Sequence, residues 1–318
     1  MLAAVVRAFD QVPRYETYDP PIPAGPHEQV VEVLAAGLHN YVKAQASGSH
    51  YTSRKQLPLI PGIDGVGRLP DGRLVYFVVP DTLYGALAEQ TVIDLRRSVV
   101  LPDYADPVLI AAGMNSAMSS WVALRHRISF QPEQKVLVLG ATGNSGQMAV
   151  QIAKLFGASE VIGAGRDPER LNMLPALGAD TVVSLAGDPQ EAADRLGEAA
   201  AEVDVVIDYL WGKPAELSMV PLLTKRLDRS RALTWIQIGS VAGPIASVPS
   251  AALRSANFQL VGSGQGSVTT AGYVAELPAL VEAITAGKLS VKALPMPLSR
   301  VEEAWNMPVD GQRIVFVP

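Results

Sequence analysis

Three glycines, Gly140, Gly143 and Gly146, stand three residues apart in the stretch VLVLGATGNSGQMAVQIAKLFGA. The run before them is short and apolar, as a buried strand is. The run after them, QMAVQIAKLFG, places its apolar residues at helical spacing. A strand, a G-x-x-G-x-x-G turn and a helix in that order can cradle a pyrophosphate. The first turn needs a residue without a Cβ, and Gly143 lets the backbone approach the phosphates. Gly146 allows close helix–strand packing, and the helix N-terminus directs its N–H groups and positive dipole end at the anion. A tight turn that binds nothing can carry the same glycines, but the flanking elements are those that a dinucleotide needs. The expected contacts are Gly140, Thr142, Gly143, Asn144, Ser145 and Gly146.

The next strand bears on which dinucleotide is taken. Folds that bind NAD place an acidic residue at its end, on the ribose hydroxyls. Here the strand ends Gly163-Ala164-Gly165-Arg166. Small residues leave room and a guanidinium fork suits a 2′-phosphate, so Gly165 and Arg166 favour NADP(H). Asp167 follows at once, and with the register off by one it would be the missing acid.

Those motifs need elements to position them. From about residue 106, strands at 136–140, 160–165, 181–185, 203–208, 232–239 and 258–264 alternate with helical stretches, among them 169–178, where Gly178 stands as a cap. This is the pattern of a doubly wound parallel sheet, the Rossmann fold. Before it, residues 2–7, 29–35, 73–79 and 86–93 read as short β segments parted by turns. After it come a helix, AGYVAELPALVEAITAG, and closing strands near 291–296 and 313–317. A chain of 318 residues is long enough for two domains. We expect a Rossmann domain at 119–264 inserted in a β-rich domain formed by 1–118 and 265–318. A net charge of −5 argues against a nucleic-acid surface. No run of ~18 apolar residues marks a membrane span and the N-terminus lacks a signal-peptide core, so a cytoplasmic protein is expected. There is no cysteine, and of the four histidines (His27, His39, His50 and His126) no two are spaced i, i+4. No metal site is expected.

From end to end, the chain resembles the medium-chain dehydrogenase/reductase superfamily, in its zinc-independent quinone oxidoreductase branch. LPLIPGIDGVGRL, YGALAEQTVI, SSWVAL, the glycine-rich turn and DGQRIVFVP carry the resemblance, with SSWVAL at the start of the helix leading into the cofactor domain. It implies a GroES-like substrate domain around the Rossmann domain. Zinc-dependent members have His-Glu after the Pro-Gly turn and a Cys upstream. Here Ile63-Asp64 follows Pro61-Gly62, and AAGLHNYVK holds no Cys. Quinone-reductase relatives often read G-x-N-x-x-D where this chain has Gly37 to Val42, with His39 at the Asn position. The resemblance implies Tyr51 on the cleft wall, as a proton or hydrogen-bond donor or as simple packing, and His39 as a second candidate donor. It implies Ser119 near the nicotinamide. Tyr209, Leu210 and Trp211 follow the fourth strand, Gly239 and Ser240 the fifth, and Gly262, Ser263 and Gly264 the sixth, all on the cofactor edge.

Without a Lewis acid to polarise a simple carbonyl, hydride transfer favours an acceptor that is already electron-poor, a quinone or an enone. Two alternatives stay open: an NADPH-binding redox sensor without turnover, and an enoyl-thioester reductase with Arg54 and Lys55 at a basic entrance. The sixth strand is expected at the sheet edge, where a second copy would cover it in a homodimer.

Overall fold

The computed structural model describes residues 1–50, 53, 55–79 and 82–318. In chain order its strands are β1 (Leu2–Val5), β2 (Arg14–Thr17), β3 (Glu28–Gly37), β4 (Asp64–Arg68), β5 (Leu74–Val78), β6 (Gln90–Asp94), β7 (Ser98–Val100), β8 (Lys135–Leu139), β9 (Glu160–Gly165), β10 (Thr181–Ser184), β11 (Val205–Asp208), β12 (Leu233–Gln237), β13 (Phe258–Gly262), β14 (Ala293–Pro297) and β15 (Arg313–Val317). The α-helices are α1 (Asn40–Ala46), α2 (Pro107–Val122), α3 (Asn144–Leu155), α4 (Pro168–Leu171), α5 (Pro189–Ala200), α6 (Gly212–Thr224), α7 (Ser250–Arg254), α8 (Thr270–Thr285) and α9 (Val301–Ala304). The chain forms two units, one of Met1–Asn115 with Tyr273–Pro318 and one of Ser116–Gly272.

In the second unit, six strands form one sheet in the order β10-β9-β8-β11-β12-β13, every pair parallel. Numbered along the chain this is 3-2-1-4-5-6, the order of a dinucleotide-binding sheet that reverses direction between its first and fourth strands. The strands are apolar because both faces are covered. Leu137, Leu139, Val206 and Trp235 pack with Leu196, Met219 and Leu222 of α5 and α6 in one buried cluster. The helix expected over 169–178 is broken. Pro175 has no N–H to continue it, so α4 gives way to a short 3-10 turn that ends at Gly178 with φ 105°.

The first unit holds a seven-stranded sheet of order β14-β15-β3-β4-β5-β7, with β6 also paired to β3, and a separate β1-β2 ribbon. β15 runs antiparallel to β3 and parallel to β14, so the last strand lies inside the sheet that the first hundred residues begin. The expected β segment 86–93 shrinks to β6. SSWVAL closes α2 rather than starting it: Asp106 caps that helix, its Oδ1 accepting from the N–H of Val108 at 2.8 Å, and Pro107 takes the first position. With its π-helical continuation to Arg127, this helix is long and apolar enough to cross a bilayer by length and composition, but 67% of its most apolar window is buried inside the protein.

Candidate functional site

The glycine turn sits where β8 gives way to α3. Gly140 has φ 84°, and its N–H and that of Ala141 both reach the carbonyl of Ala164 at 2.9 Å. A Cβ on Gly146 would lie 2.2 Å from Gly140 O and 2.6 Å from Ala141 Cα, so this glycine is required by packing. Gly143 differs. A Cβ there would meet only Gly140 O, at 3.5 Å, and would otherwise project into open space. Gly143 is the N-cap of α3 and no side chain caps that helix. The first turn of α3, Asn144 to Gly146, thus begins without a capping side chain, as an anion site requires.

The other residues expected on this edge lie at or just beyond the carboxyl ends of the parallel strands. Thr142 packs on Gly165, where a Cβ would stand 2.5 Å from Thr142 Cγ2. Arg166 is exposed directly after β9. Asp167 is the N-cap of α4, accepting from the N–H of Arg170 at 3.1 Å and pairing with the Arg170 guanidinium at 3.3 Å. Its carboxylate therefore already serves the helix. Ser119 and Tyr209, 90 residues apart, meet: Ser119 Oγ donates to Ser116 O at 2.9 Å and lies 2.8 Å from Tyr209 Oη. Burial pushes the Tyr209 phenol up to about 12 against the pull of Ser119 and Ser120, so it stays a neutral donor. The Leu210 side chain lies against Gly140, and the N–H of Ala242 reaches Leu210 O at 2.8 Å. Trp211 has φ 53° and ψ −155°. Gly239 donates to Asp208 O at 3.1 Å, with Ser240 next in line. Beyond β13, Ser263 donates its N–H to Gln237 O at 2.8 Å, and Gly262 and Gly264 flank it.

The first unit carries a different cluster. His39 is the N-cap of α1, 3% exposed, and its Nε2 lies 3.1 Å from Asp64 Oδ1. Tyr76 donates its hydroxyl to Asp64 Oδ2 at 2.7 Å. Arg313 of β15 donates to Leu38 O at 2.8 Å, and burial holds its guanidinium down at about 10 despite the attraction of Asp64. Desolvation likewise pushes the His39 imidazole below its ordinary value and outweighs Asp64, so the ring is neutral and its Nε2–H donates a hydrogen bond to Asp64 Oδ1. Nδ1 is buried with no hydrogen-bond partner. A Cβ on Gly37 would stand 2.7 Å from His39 Cε1, which is why glycine precedes this ring. In this arrangement His39 is held by the fold and offers no proton outward. Tyr51 and Arg54 lie outside the described residues, and Lys55 is exposed. Asp208, Tyr76 and Arg313 were not singled out from the sequence. An aspartate closing the apolar run VDVVID was the one visible signal among them.

Among the described residues no group of three or more His, Asp or Glu side chains could hold a metal ion. Ile63 offers no ligand atom beside Asp64, and Asp64 is already engaged by His39 and Tyr76, so the donor set does not fit zinc.

Residues 146–226 match the family model described as zinc-binding dehydrogenase, and that stretch contains no His and no Cys. The chain is 30% identical over 362 residues, covering 100% of both chains, to a probable NADPH-dependent quinone reductase, tdiC, of Emericella nidulans. It is 27% identical over 207 residues, 59% of this chain and 52% of the other, to the chloroplastic NADPH-dependent alkenal/one oxidoreductase of Arabidopsis thaliana. The structure of the quinone oxidoreductase of Thermus thermophilus, solved also with NADPH, superposes over 100% of both chains with TM-score 0.78 at 26% identity. Fold and site define a nucleotide-binding oxidoreductase class. The chain belongs to the medium-chain dehydrogenase/reductase superfamily, in its quinone oxidoreductase-like branch.

Proposed function

We propose that this protein is a zinc-independent, NADPH-dependent oxidoreductase that passes hydride to a quinone or an α,β-unsaturated carbonyl, acting in the cytoplasm as a homodimer. The observation that carries the reading is the uncapped α3 N-terminus behind an exposed Gly143, on the carboxyl edge of a 3-2-1-4-5-6 parallel sheet. The names of the relatives agree with it: a quinone reductase and an alkenal/one oxidoreductase, both NADPH-dependent. When bound, the dinucleotide supplies the hydride, and one proton from solvent or a side chain completes the two-electron reduction. The chain's part is to bind and orient. The α3 N–H groups take the pyrophosphate, and Arg166 takes the 2′-phosphate. The Ser119–Tyr209 hydroxyl pair marks the nicotinamide side.

The test is an acceptor panel. Ortho- and para-quinones or α,β-unsaturated ketones oxidise NADPH in the presence of the enzyme, with no response to chelators. Ethanol and simple aldehydes do not turn over. Zinc-stimulated oxidation of a simple alcohol would overturn the assignment, and silence across the panel with NADPH still bound would favour a sensor.

Cofactor choice has its own expected result. Arg166 has no ion-pair partner among the described residues, and Asp167 is committed to α4. Arg166→Ala therefore weakens NADPH binding by on the order of 10-fold to 100-fold, the loss of one charge-assisted contact, and leaves NADH nearly unchanged. Titrating both cofactors against both proteins checks it; equal NADPH affinities would refute the 2′-phosphate role.

The homodimer rests on β13. It is the edge of the six-stranded sheet, paired to β12 on one side only, with Leu260 and Val261 half-buried. An apolar edge strand is covered when a two-fold-related copy pairs with it. Sedimentation at micromolar concentration is expected to give a dimer.

A further inference from the structure

Asp208 ends β11 and is completely buried. Its Oδ1 accepts from the N–H of Leu210 at 2.8 Å and of Trp211 at 2.9 Å, and its Oδ2 from Trp235 Nε1 at 3.0 Å. Its main-chain oxygen accepts from Ile238 at 2.8 Å and Gly239 at 3.1 Å. Every partner is a donor, and no cation pairs with the carboxylate among the described residues. The two N–H groups that Oδ1 holds precede α6, so the carboxylate fixes the turn rather than capping the helix.

That turn is strained. Trp211, at φ 53° and ψ −155°, lies close to a region that only glycine occupies readily. It is one of two non-glycine residues with positive φ among those described. Leu210 packs on Gly140 of the phosphate turn. Ala242 and Val241 bond to the carbonyls of Leu210 and Tyr209, and a Cβ on Gly212 would stand 2.7 Å from Ala242 O. A shift of residues 209–212 would therefore disturb both neighbouring loops. In a 3-2-1-4-5-6 sheet the fourth to sixth strands form the second mononucleotide half, and β11 is the fourth.

We infer that Asp208 is a positioning residue for the nicotinamide half of the dinucleotide site, its carboxylate holding the Tyr209–Gly212 turn in the strained form that receives the cofactor. The inference rests on the proposed cofactor and deepens it. A carboxylate suits the position better than an amide. Asparagine could keep Oδ1 on the two backbone donors, but its Nδ2 would face the indole N–H donor to donor.

The test uses the full chain and two ligands: NADPH, and adenosine 2′,5′-bisphosphate, which fills only the adenine half. In Asp208→Ala, NADPH binding weakens by about 10-fold or more while adenosine 2′,5′-bisphosphate binds within about 2-fold of the parent. Should Asp208→Ala not fold, Asp208→Asn with Trp235→Phe keeps the two backbone bonds and removes the opposed donor, and it binds NADPH within about 3-fold of the parent. Unchanged NADPH binding in Asp208→Ala would overturn the inference. So would equal weakening of both ligands, or loss of binding in Asp208→Asn with Trp235→Phe. A parent protein that binds no NADPH would instead overturn the function proposed above, and the positioning role with it.

Discussion

Gly143→Val is expected to abolish measurable NADPH binding while leaving the melting temperature unchanged. Residue 143 has φ −79° and ψ 161°, an extended conformation that a β-branched residue adopts readily. A Cβ there meets nothing closer than 3.5 Å, so the fold has no objection to valine. Its methyl groups would instead fill the space in front of the α3 N-terminus, where the proposed pyrophosphate site lies. Losing two charge-assisted N–H contacts at ~1.5–3 kcal/mol each costs on the order of 10²–10⁴ in affinity. Gly146→Val is the contrasting variant. Its Cβ would overlap Gly140 O at 2.2 Å, and the protein is expected to misfold. A Gly143→Val protein that binds NADPH normally would move the phosphate site elsewhere.

Asp64→Ala is expected to cost the folded protein a large share of its stability. The change strips the acceptor from His39 Nε2 and from the Tyr76 hydroxyl, both buried, and leaves the buried Arg313 guanidinium without its neighbouring negative charge. Breaking a buried charged cluster by removing one partner costs about 3–5 kcal/mol. In a domain of this size that lowers the melting temperature by on the order of 10 °C. Asp64→Asn retains one acceptor oxygen for two donors and is expected to fall between the parent and Asp64→Ala. Urea unfolding of the three proteins measures this; a loss below about 1 kcal/mol for Asp64→Ala would show that the cluster is far better solvated than its burial implies.

The Rossmann unit was the more legible half of the sequence because its strands are buried on both faces and read as continuous apolar runs. β9 falls on residues 160–165, as the pattern predicts. β4 was hidden, since DGVGR looks like part of a turn. Its glycines are there for packing: a Cβ on Gly65 would stand 2.8 Å from Ala35 O, and one on Gly67 2.8 Å from Glu32 O. Of the candidate sites, the glycine turn was legible because its residues are contiguous. The Asp208–Trp235 bond was not, because it depends on the parallel register that sets Val206 beside Trp235. The Asp64 cluster draws on four separate segments and declares itself only once β15 returns to β3.

That return sets the order in which a nascent chain can acquire structure. Residues 116–272 are contiguous, so all six strands of the parallel sheet have been synthesised before β14 emerges from the ribosome. The other unit waits. The C-terminal end of β3, at Ala36 and Gly37, lacks its partner β15 until Arg313–Val317 is made, which leaves a short open hydrogen-bonding edge through most of translation. Ribosome-stalled chains long enough to carry residue 272 clear of the exit tunnel but ending before Arg313 should therefore already protect the parallel sheet from protease, while Met1–Asn115 stays cleavable until the C-terminal strands are released.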